Sequence, residues 1–262
     1  LAAIMEILVD SHVHIYPFFD IVEALDHLVA HATRRYPGIP RIACLAERYG
    51  CNVFDELVQG RADNGQDRYL IKVGQDGGSL QVDCRSSDAH CFILPGRQIV
   101  TAENIEILAL NTVHRIAEGM PAVDTVSSAL EAGALPVVAW APGKWFFHRR
   151  AVVEQLLKVF DPRQLALGDS SLRPVGWPTP VLMRQAAAAG YRVLCGSDPL
   201  PFAGEEKRLG CYMSAIKTGA PVPSPRRLIS SLLTNQDIFL HPAGSRGSPV
   251  QVAARIARNA MA

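Results

Sequence analysis

The sequence predicts an α/β fold built as one barrel-like domain. Short apolar runs without polar alternation, such as residues 135–139, 165–167 and 193–195, are typical of buried strands in a parallel sheet. Stretches with helical periodicity separate these runs, so strands and helices alternate along the second half of the chain. The chain has 262 residues, of which 48% are hydrophobic, and one β/α barrel commonly has this size. We therefore expect a single domain over residues 1–262, a distorted TIM-like barrel.

The first half of the chain contains four expected elements and one irregular stretch. Asp20 can cap the first helix, which has a row of apolar side chains on one face. The Gly-rich residues 74–79 predict the turn of a β-hairpin that decorates the barrel. Residues 34–66 show only a weak pattern and predict irregular structure with short helical pieces. In order, the elements are a strand at 4–9, a helix at 21–33, the hairpin at 69–73 and 80–84, and a strand at 91–94.

The second half of the chain alternates between strands and helices. Pro121 introduces the first helix and Gly133 closes it, as these residues do at helix ends. The next helix has four apolar side chains at i, i+3, i+4 and i+7. The expected elements are strands at 107–110, 135–139, 165–167 and 193–195, and helices at 122–132, 151–160, 180–189, 226–233 and 249–261.

Composition narrows the classes of partner. Lys and Arg number 26 and Asp and Glu number 25, which gives a formal net charge of +1. This balance offers no long-range attraction for a polyanion, so we expect a small anionic substrate, no nucleic-acid polymer and no membrane.

Residues 1–9 are expected to form a strand rather than a signal peptide. The six cysteines contain no C-x-x-C pair, which favours a reduced cytoplasmic setting. The oligomeric state stays open.

Polar side chains follow several of the predicted strands. In parallel α/β folds the ligand site lies at the carboxyl ends of the strands, where these side chains would meet. They are therefore the candidate site residues. The set comprises His12, His14, Glu106, Trp140, Lys144, Asp169, Arg173 and Asp198.

His12 and His14 end the first strand in a His-x-His pattern. Side chains two residues apart on a strand point to the same side, so both imidazoles can bind one Zn, Fe or Ni ion. Asp198 follows the strand at 193–195, where its carboxylate can complete the metal site or act as a base toward water. The alternatives are two packing histidines and an aspartate in a Ser-Asp-Pro turn.

Lys144 and Arg173 lie near the same strand ends. They suit a bound carboxylate or phosphate, because arginine offers a bidentate fork and lysine a point charge. Surface ion pairs are the alternative for both. Trp140 is expected to form an aromatic wall for the substrate, or else to pack in the core. Asp169 is a second candidate for handling a proton, or else a cap.

Two short motifs together resemble those of the PHP (polymerase and histidinol phosphatase) family of metal-dependent phosphoesterases. They are Asp-Ser-His-Val-His at residues 10–14 and Gly-Ser-Asp at residues 196–198. Residues 93–99 and 106–110 resemble two intermediate segments of that family. The resemblance implies a distorted β/α barrel that hydrolyses phosphoesters with metal-activated water. It implies His12, His14, Glu106 and Asp198 as metal ligands.

The sequence also departs from the pattern of that family. Gln98 stands where the family has a ligand glutamate, and Glu106 stands where it has a histidine. Trp140 replaces a His-Pro ligand, and Leu200 falls where another histidine is usual. The resemblance therefore implies one divalent ion (zinc, manganese or iron) rather than a multinuclear centre. Gln98 is then expected beside the substrate.

Three functions remain open from the sequence. The first is a metal-dependent hydrolase of a small anionic substrate, a phosphoester. The second is an amidohydrolase-type barrel enzyme, which also uses His-x-His on its first strand and a late aspartate. The third is a non-catalytic descendant that binds a small anion or a protein partner through the old cleft.

Overall fold

The computed structural model describes residues 5–33, 36, 38–61, 67–219 and 224–261. Within these residues the strands are β1 (Met5–Val13), β2 (Arg41–Leu45), β3 (Tyr69–Val73), β4 (Leu80–Cys84), β5 (His90–Leu94), β6 (Gly96–Val100), β7 (Glu106–Leu110), β8 (Leu135–Ala139), β9 (Ala166–Ser170), β10 (Val193–Gly196), β11 (Tyr212–Thr218) and β12 (Ile238–Gly244).

Seven α-helices are present in the same part of the chain. A short 3-10 helix, Glu205–Arg208, precedes β11. The α-helices are α1 (Ile21–Thr33), α2 (Val53–Val58), α3 (Ala122–Glu131), α4 (His148–Val159), α5 (Val181–Ala188), α6 (Pro225–Ser231) and α7 (Pro249–Met261). Within the described residues no helix is both long and apolar enough to cross a membrane.

The strands form two mixed sheets, so the predicted TIM-like barrel is wrong. The larger sheet has the order β12-β11-β1-β2-β5-β4-β3, and the smaller one has the order β10-β9-β8-β7-β6. A barrel needs parallel strands that close into a ring. Here β6, β7 and β8 pair antiparallel, as do β1, β11 and β12. That residues 1–262 form one domain stays a prediction.

The β-hairpin forms at the predicted residues, but it is not a separate decoration. β3 and β4 pair antiparallel, and β4 also pairs with β5. The hairpin is therefore the outer edge of the larger sheet. Sequence reasoning missed β2, β6, β11 and β12. Of the stretch 34–66 that was predicted to be irregular, residues 34, 35, 37 and 62–66 lie outside the described part, while β2 and α2 are regular.

Apolar side chains of both sheets share one core. Val9 and Cys44 of the larger sheet pack in the same cluster as Leu108, Val137 and Leu194 of the smaller sheet. A second cluster lies between α1 and the larger sheet, and a third lies between the smaller sheet and the helices α3, α4 and α5. The two sheets are thus inner layers with helices outside them, as expected for α/β packing.

The end of β1 lies against the end of β10, and this contact joins the two sheets near the candidate site residues His12, His14 and Asp198. Ser11 Oγ donates a hydrogen bond to the Cys195 carbonyl at 3.0 Å. Gly196 allows this approach, because a Cβ atom there would lie 2.4 Å from the His12 Cβ. The junction places the residue after β10 next to the histidines that end β1.

Candidate metal centre

The two histidines of the His-x-His motif point to one place. His12 Nε2 lies 3.0 Å from His14 Nε2. Both side chains are almost completely buried, with 4% of each residue exposed. Two ring nitrogens therefore face each other where little water competes for them.

Asp198 completes a compact group with the two histidines. Its Oδ1 lies 3.6 Å from His12 Nε2 and 3.8 Å from His14 Nε2. Ligand atoms around a tetrahedral ion with bonds of about 2.0–2.1 Å lie roughly 3.3 Å apart. The observed separations bracket that value, and two imidazoles with one carboxylate suit zinc, manganese or iron. These three residues could hold a metal ion.

Asp198 is held in an unusual backbone conformation by its surroundings. Its φ is 48°, in the left-handed region that L residues other than glycine seldom adopt. The Asp198 amide donates to the His12 carbonyl at 2.9 Å. Ser170 Oγ donates to Asp198 Oδ2 at 2.8 Å, and Arg255 Nη2 donates to the Asp198 carbonyl at 3.2 Å. The remaining oxygen, Oδ1, is the one that faces the imidazoles.

Asp10 connects the backbone segments that carry the ligands. Its carboxylate accepts hydrogen bonds from the amides of His12 (3.2 Å), Ser197 (2.9 Å) and Gly210 (3.0 Å). Burial raises the pKa of Asp10 to about 6, although these donors act in the opposite direction. Sequence reasoning did not assign Asp10 a role. Its signal was a carboxylate directly after the apolar residues Ile7, Leu8 and Val9.

The electrostatics favour a neutral His14 imidazole beside an ionised Asp198 carboxylate. Burial, followed by the charge of His12, lowers the pKa of His14 to about 3. Burial alone would raise the pKa of Asp198, but the two imidazoles, the Ser170 hydroxyl and Arg255 outweigh it and lower the pKa below its usual value. Metal ligands must be unprotonated, so both shifts suit a ligand role at neutral pH.

Gln98, Glu106 and Lys144 share a cavity with His14 and Asp198. This cavity has a volume of about 310 Å³. Gln98 Oε1 lies 3.0 Å from His12 Nε2. Lys144 Nζ donates to Glu106 Oε1 at 2.7 Å. Glu106 therefore lies in the expected cavity as the partner of a lysine, while the compact ligand group found in the described residues consists of His12, His14 and Asp198.

Asp169, Arg173 and Trp140 have other surroundings. Asp169 accepts hydrogen bonds from Arg173 Nε at 2.8 Å, Arg173 Nη2 at 2.6 Å and the Tyr212 hydroxyl at 2.8 Å. The Asp169–Arg173 pair lines a different cavity of about 400 Å³. Trp140 is buried in the core between the smaller sheet and its helices. The catalytic and substrate roles of these residues stay predictions.

Solved structures with the same general fold exist at low sequence identity. PsfC from Pseudomonas syringae PB-5123 matches with a TM-score of 0.54 and 12% identity, over 98% of this chain and 97% of PsfC. The lesion-specific endonuclease PfuEndoQ from Pyrococcus furiosus matches with a TM-score of 0.50 and 12% identity, over 92% of this chain and 59% of its own. The sequence matches no family model and no curated protein.

These likenesses show the fold alone, and they change one expectation. This chain shares its general arrangement of strands and helices with PsfC and PfuEndoQ. PfuEndoQ is an endonuclease, so a protein with this fold acts on a nucleic acid. The expectation that nucleic acid is excluded as a partner is therefore wrong. The net charge of +1 averages the whole surface, whereas binding of nucleic acid depends on local charge.

Proposed function

We propose that this chain is a metal-dependent hydrolase of the PHP type that acts on an anionic phosphoester. The proposal rests on the close approach of three side chains. His12 and His14 lie at the end of β1 in the larger sheet, and Asp198 follows β10 of the smaller sheet. Their ligand atoms lie 3.0–3.8 Å apart in a buried group. An open cavity of about 310 Å³ adjoins the group and leaves room for a substrate.

A divalent ion held by these residues would supply a Lewis acid and lower the pKa of water. His12 and His14 would hold the ion through their Nε2 atoms. Asp198, ionised and fixed through its Oδ2 by Ser170, accepts the proton of the attacking water as that oxygen bonds to phosphorus. The bond from phosphorus to the leaving oxygen breaks, and Asp198 passes the proton to that oxygen, so that an alcohol leaves and the carboxylate is restored. The Asp169 carboxylate is already occupied by Arg173 and Tyr212, so we assign the proton to Asp198.

Lys144 provides the positive charge on the substrate side of the cavity. Its side chain is about one-third exposed, and its Nζ lies 2.7 Å from Glu106 Oε1. A lysine on a flexible stem can turn from this carboxylate to a phosphate oxygen without leaving the cavity. In this proposal Glu106 holds Lys144 in place before the substrate binds.

The test combines metal analysis with a substrate panel. We expect about one zinc, manganese or iron ion per chain, and hydrolysis of one or more of p-nitrophenyl phosphate, bis-p-nitrophenyl phosphate and single- or double-stranded oligonucleotides. His12→Ala should remove both the ion and the activity, whereas the matched variant His114→Ala, on an exposed loop, should retain both. Less than one ion per chain and no uptake on titration would contradict the proposal.

A non-catalytic anion-binding protein is the second candidate. The observation in its favour is the Glu106–Lys144 ion pair. The resemblance implied Glu106 as a metal ligand, but its carboxylate is paired with a lysine instead. In that case the panel shows no turnover, but inorganic phosphate still binds and Lys144→Met weakens its binding.

A further inference from the structure

A second cavity opens beside the candidate metal centre. It has a volume of about 260 Å³, and residues 47–50, Asn52, residues 97–99 of β6 and residues 115–118 line it. It shares Arg48 and Gln98 with the cavity that contains His14 and Asp198. The two cavities are therefore neighbours, and Gln98 stands at their boundary with its Oε1 3.0 Å from His12 Nε2.

The second cavity carries an excess of positive charge. Three arginines and two glutamates line it, namely Arg48, Arg97, Arg115, Glu47 and Glu118. Arg97 pairs with Glu47 at 2.9 Å, which leaves the exposed Arg48 and Arg115 against the exposed Glu118. The charge next to the metal centre is thus positive although the whole chain is almost neutral.

One nitrogen of the Arg97 side chain has no hydrogen-bond partner within the described residues. Its Nη1 donates to the Cys51 carbonyl at 2.7 Å. Its Nε is buried and has no hydrogen-bond partner within the described residues. A buried unpaired donor is costly, and it belongs to a side chain that lines the cavity. Arg115 already donates to Asn52 Oδ1 through Nη2 at 2.9 Å, which holds its guanidinium at the rim.

Part of the lining is apolar. Ile99, Ile116 and Ala117 form part of the wall, and Tyr49 is 87% exposed beside them. An apolar wall with arginines suits a ligand that has a short carbon framework and an anionic end. A free inorganic ion would use only the arginines.

We propose that this cavity, here called the arginine chamber and defined by Arg48, Arg97 and Arg115, binds a second anionic group of the substrate. The substrate class is then a phosphoester whose leaving group carries a carboxylate or a phosphate on a short carbon chain. This assignment rests on the proposed function, because the first anionic group lies at the metal centre. It narrows that function from phosphoesters in general to those with two anionic ends.

Stable phosphonates test the chamber without requiring turnover. The probes are ω-carboxyalkylphosphonates of increasing chain length and their neutral ω-carbamoyl counterparts, with alkane bisphosphonates as the phosphate arm. Calorimetry on the metal-loaded wild-type protein should give an affinity at least about tenfold higher for the doubly anionic probes at the best chain length. Whether the carboxylate or the bisphosphonate series binds more tightly tells which second group the chamber prefers.

Two variants test whether the arginine chamber causes the preference for doubly anionic probes. Arg115→Gln should bring the ratio of the two affinities close to one, and Arg115→Lys should restore part of it. Arg163→Gln removes an exposed arginine elsewhere and should keep the wild-type ratio. Arg115 is exposed, so its replacement is not expected to disturb folding.

The outcomes separate the chamber from the hydrolase proposal. Equal affinity for the carboxylate and carbamoyl probes at every length, with no gain for the bisphosphonates, overturns the chamber and leaves the hydrolase standing. A clear anion preference without turnover on any ester supports the chamber and counts against the hydrolase. Failure of every probe to bind overturns the chamber.

Discussion

At the scale of single residues, the amide of Gln98 is placed like a ligand but lacks the charge of one. Its Oε1 lies 3.0 Å from His12 Nε2, and its side chain is buried. A glutamate of the same length would add a negative charge beside the three ligands. The affinity of the site for a divalent ion therefore depends on this position.

We expect Gln98→Glu to raise the affinity for zinc or manganese roughly tenfold, the scale on which groups around a metal site act. Competition with a fluorescent chelator measures the change. Gln185→Glu, an exposed position on α5, controls for the added charge. An affinity that stays the same or falls in Gln98→Glu would show that the side chain does not reach the ion.

The free cysteines differ in reactivity according to burial. Cys84 is partly exposed, and the hydroxyl groups of Ser86 and Ser87 lower the pKa of its thiol. Burial raises the pKa of the other thiols that lie in the core, to about 12 for three of them; these are Cys91, Cys195 and Cys211.

Because the thiolate is the reactive form, iodoacetamide near pH 8 should alkylate Cys84 well before the buried thiols. Peptide mass mapping at early times identifies the modified residue, and Cys84→Ser should remove the fast phase. Early modification of Cys195 or Cys211 in the folded protein would contradict the burial described here.

At the scale of elements, helix α7 holds the loop that carries Asp198 of the candidate metal centre. Its Arg255 pairs with Glu205 at 2.6 Å and donates to the Asp198 carbonyl at 3.2 Å. Arg255 and Glu205 are both buried. The helix therefore fixes the loop on which Asp198 adopts its left-handed conformation.

Arg255→Lys keeps the charge but loses the fork that reaches both partners. We expect metal affinity to fall about tenfold or more in the folded variant. Arg255→Met leaves Glu205 as an unpaired buried charge and should cost about 3–5 kcal/mol of unfolding free energy. Chelator competition and urea unfolding measure the two effects separately. Unchanged metal affinity in Arg255→Lys would mean that the helix stabilises the fold without positioning Asp198.

The elements also show what the sequence could and could not predict. Residues 10–14 and Asp198 were identifiable because polar groups directly after apolar strands are a local signal. The direction in which strands pair is not local, so nothing in residues 106–110 indicated that β7 runs antiparallel to both neighbours. β11 was missed because Ser214, Lys217 and Thr218 interrupt its apolar residues, although all but one of its residues are buried. It therefore lacks the continuous apolar run by which a buried strand is identified.

At the scale of the whole molecule, an ion at the centre would link the two sheets. Binding to the folded state alone stabilises it by an amount that grows with the ratio of free ligand to Kd. At one hundred times Kd we expect about 2.7 kcal/mol of added unfolding free energy. Removal of the ion with EDTA should therefore lower the melting temperature by several degrees.

Differential scanning calorimetry with and without EDTA measures this difference. His12→Ala should melt at the same temperature under both conditions, because it has no site to empty. A wild-type protein whose melting temperature ignores both EDTA and added zinc would contradict ion binding in the folded state.

The contact of Gly196 with His12 has a mechanical consequence. The two imidazoles come from the end of β1 and the carboxylate from the segment after β10. An ion held by all three would therefore resist separation of the two sheets at this junction. Any motion that separates them would shorten the time for which the ion stays bound.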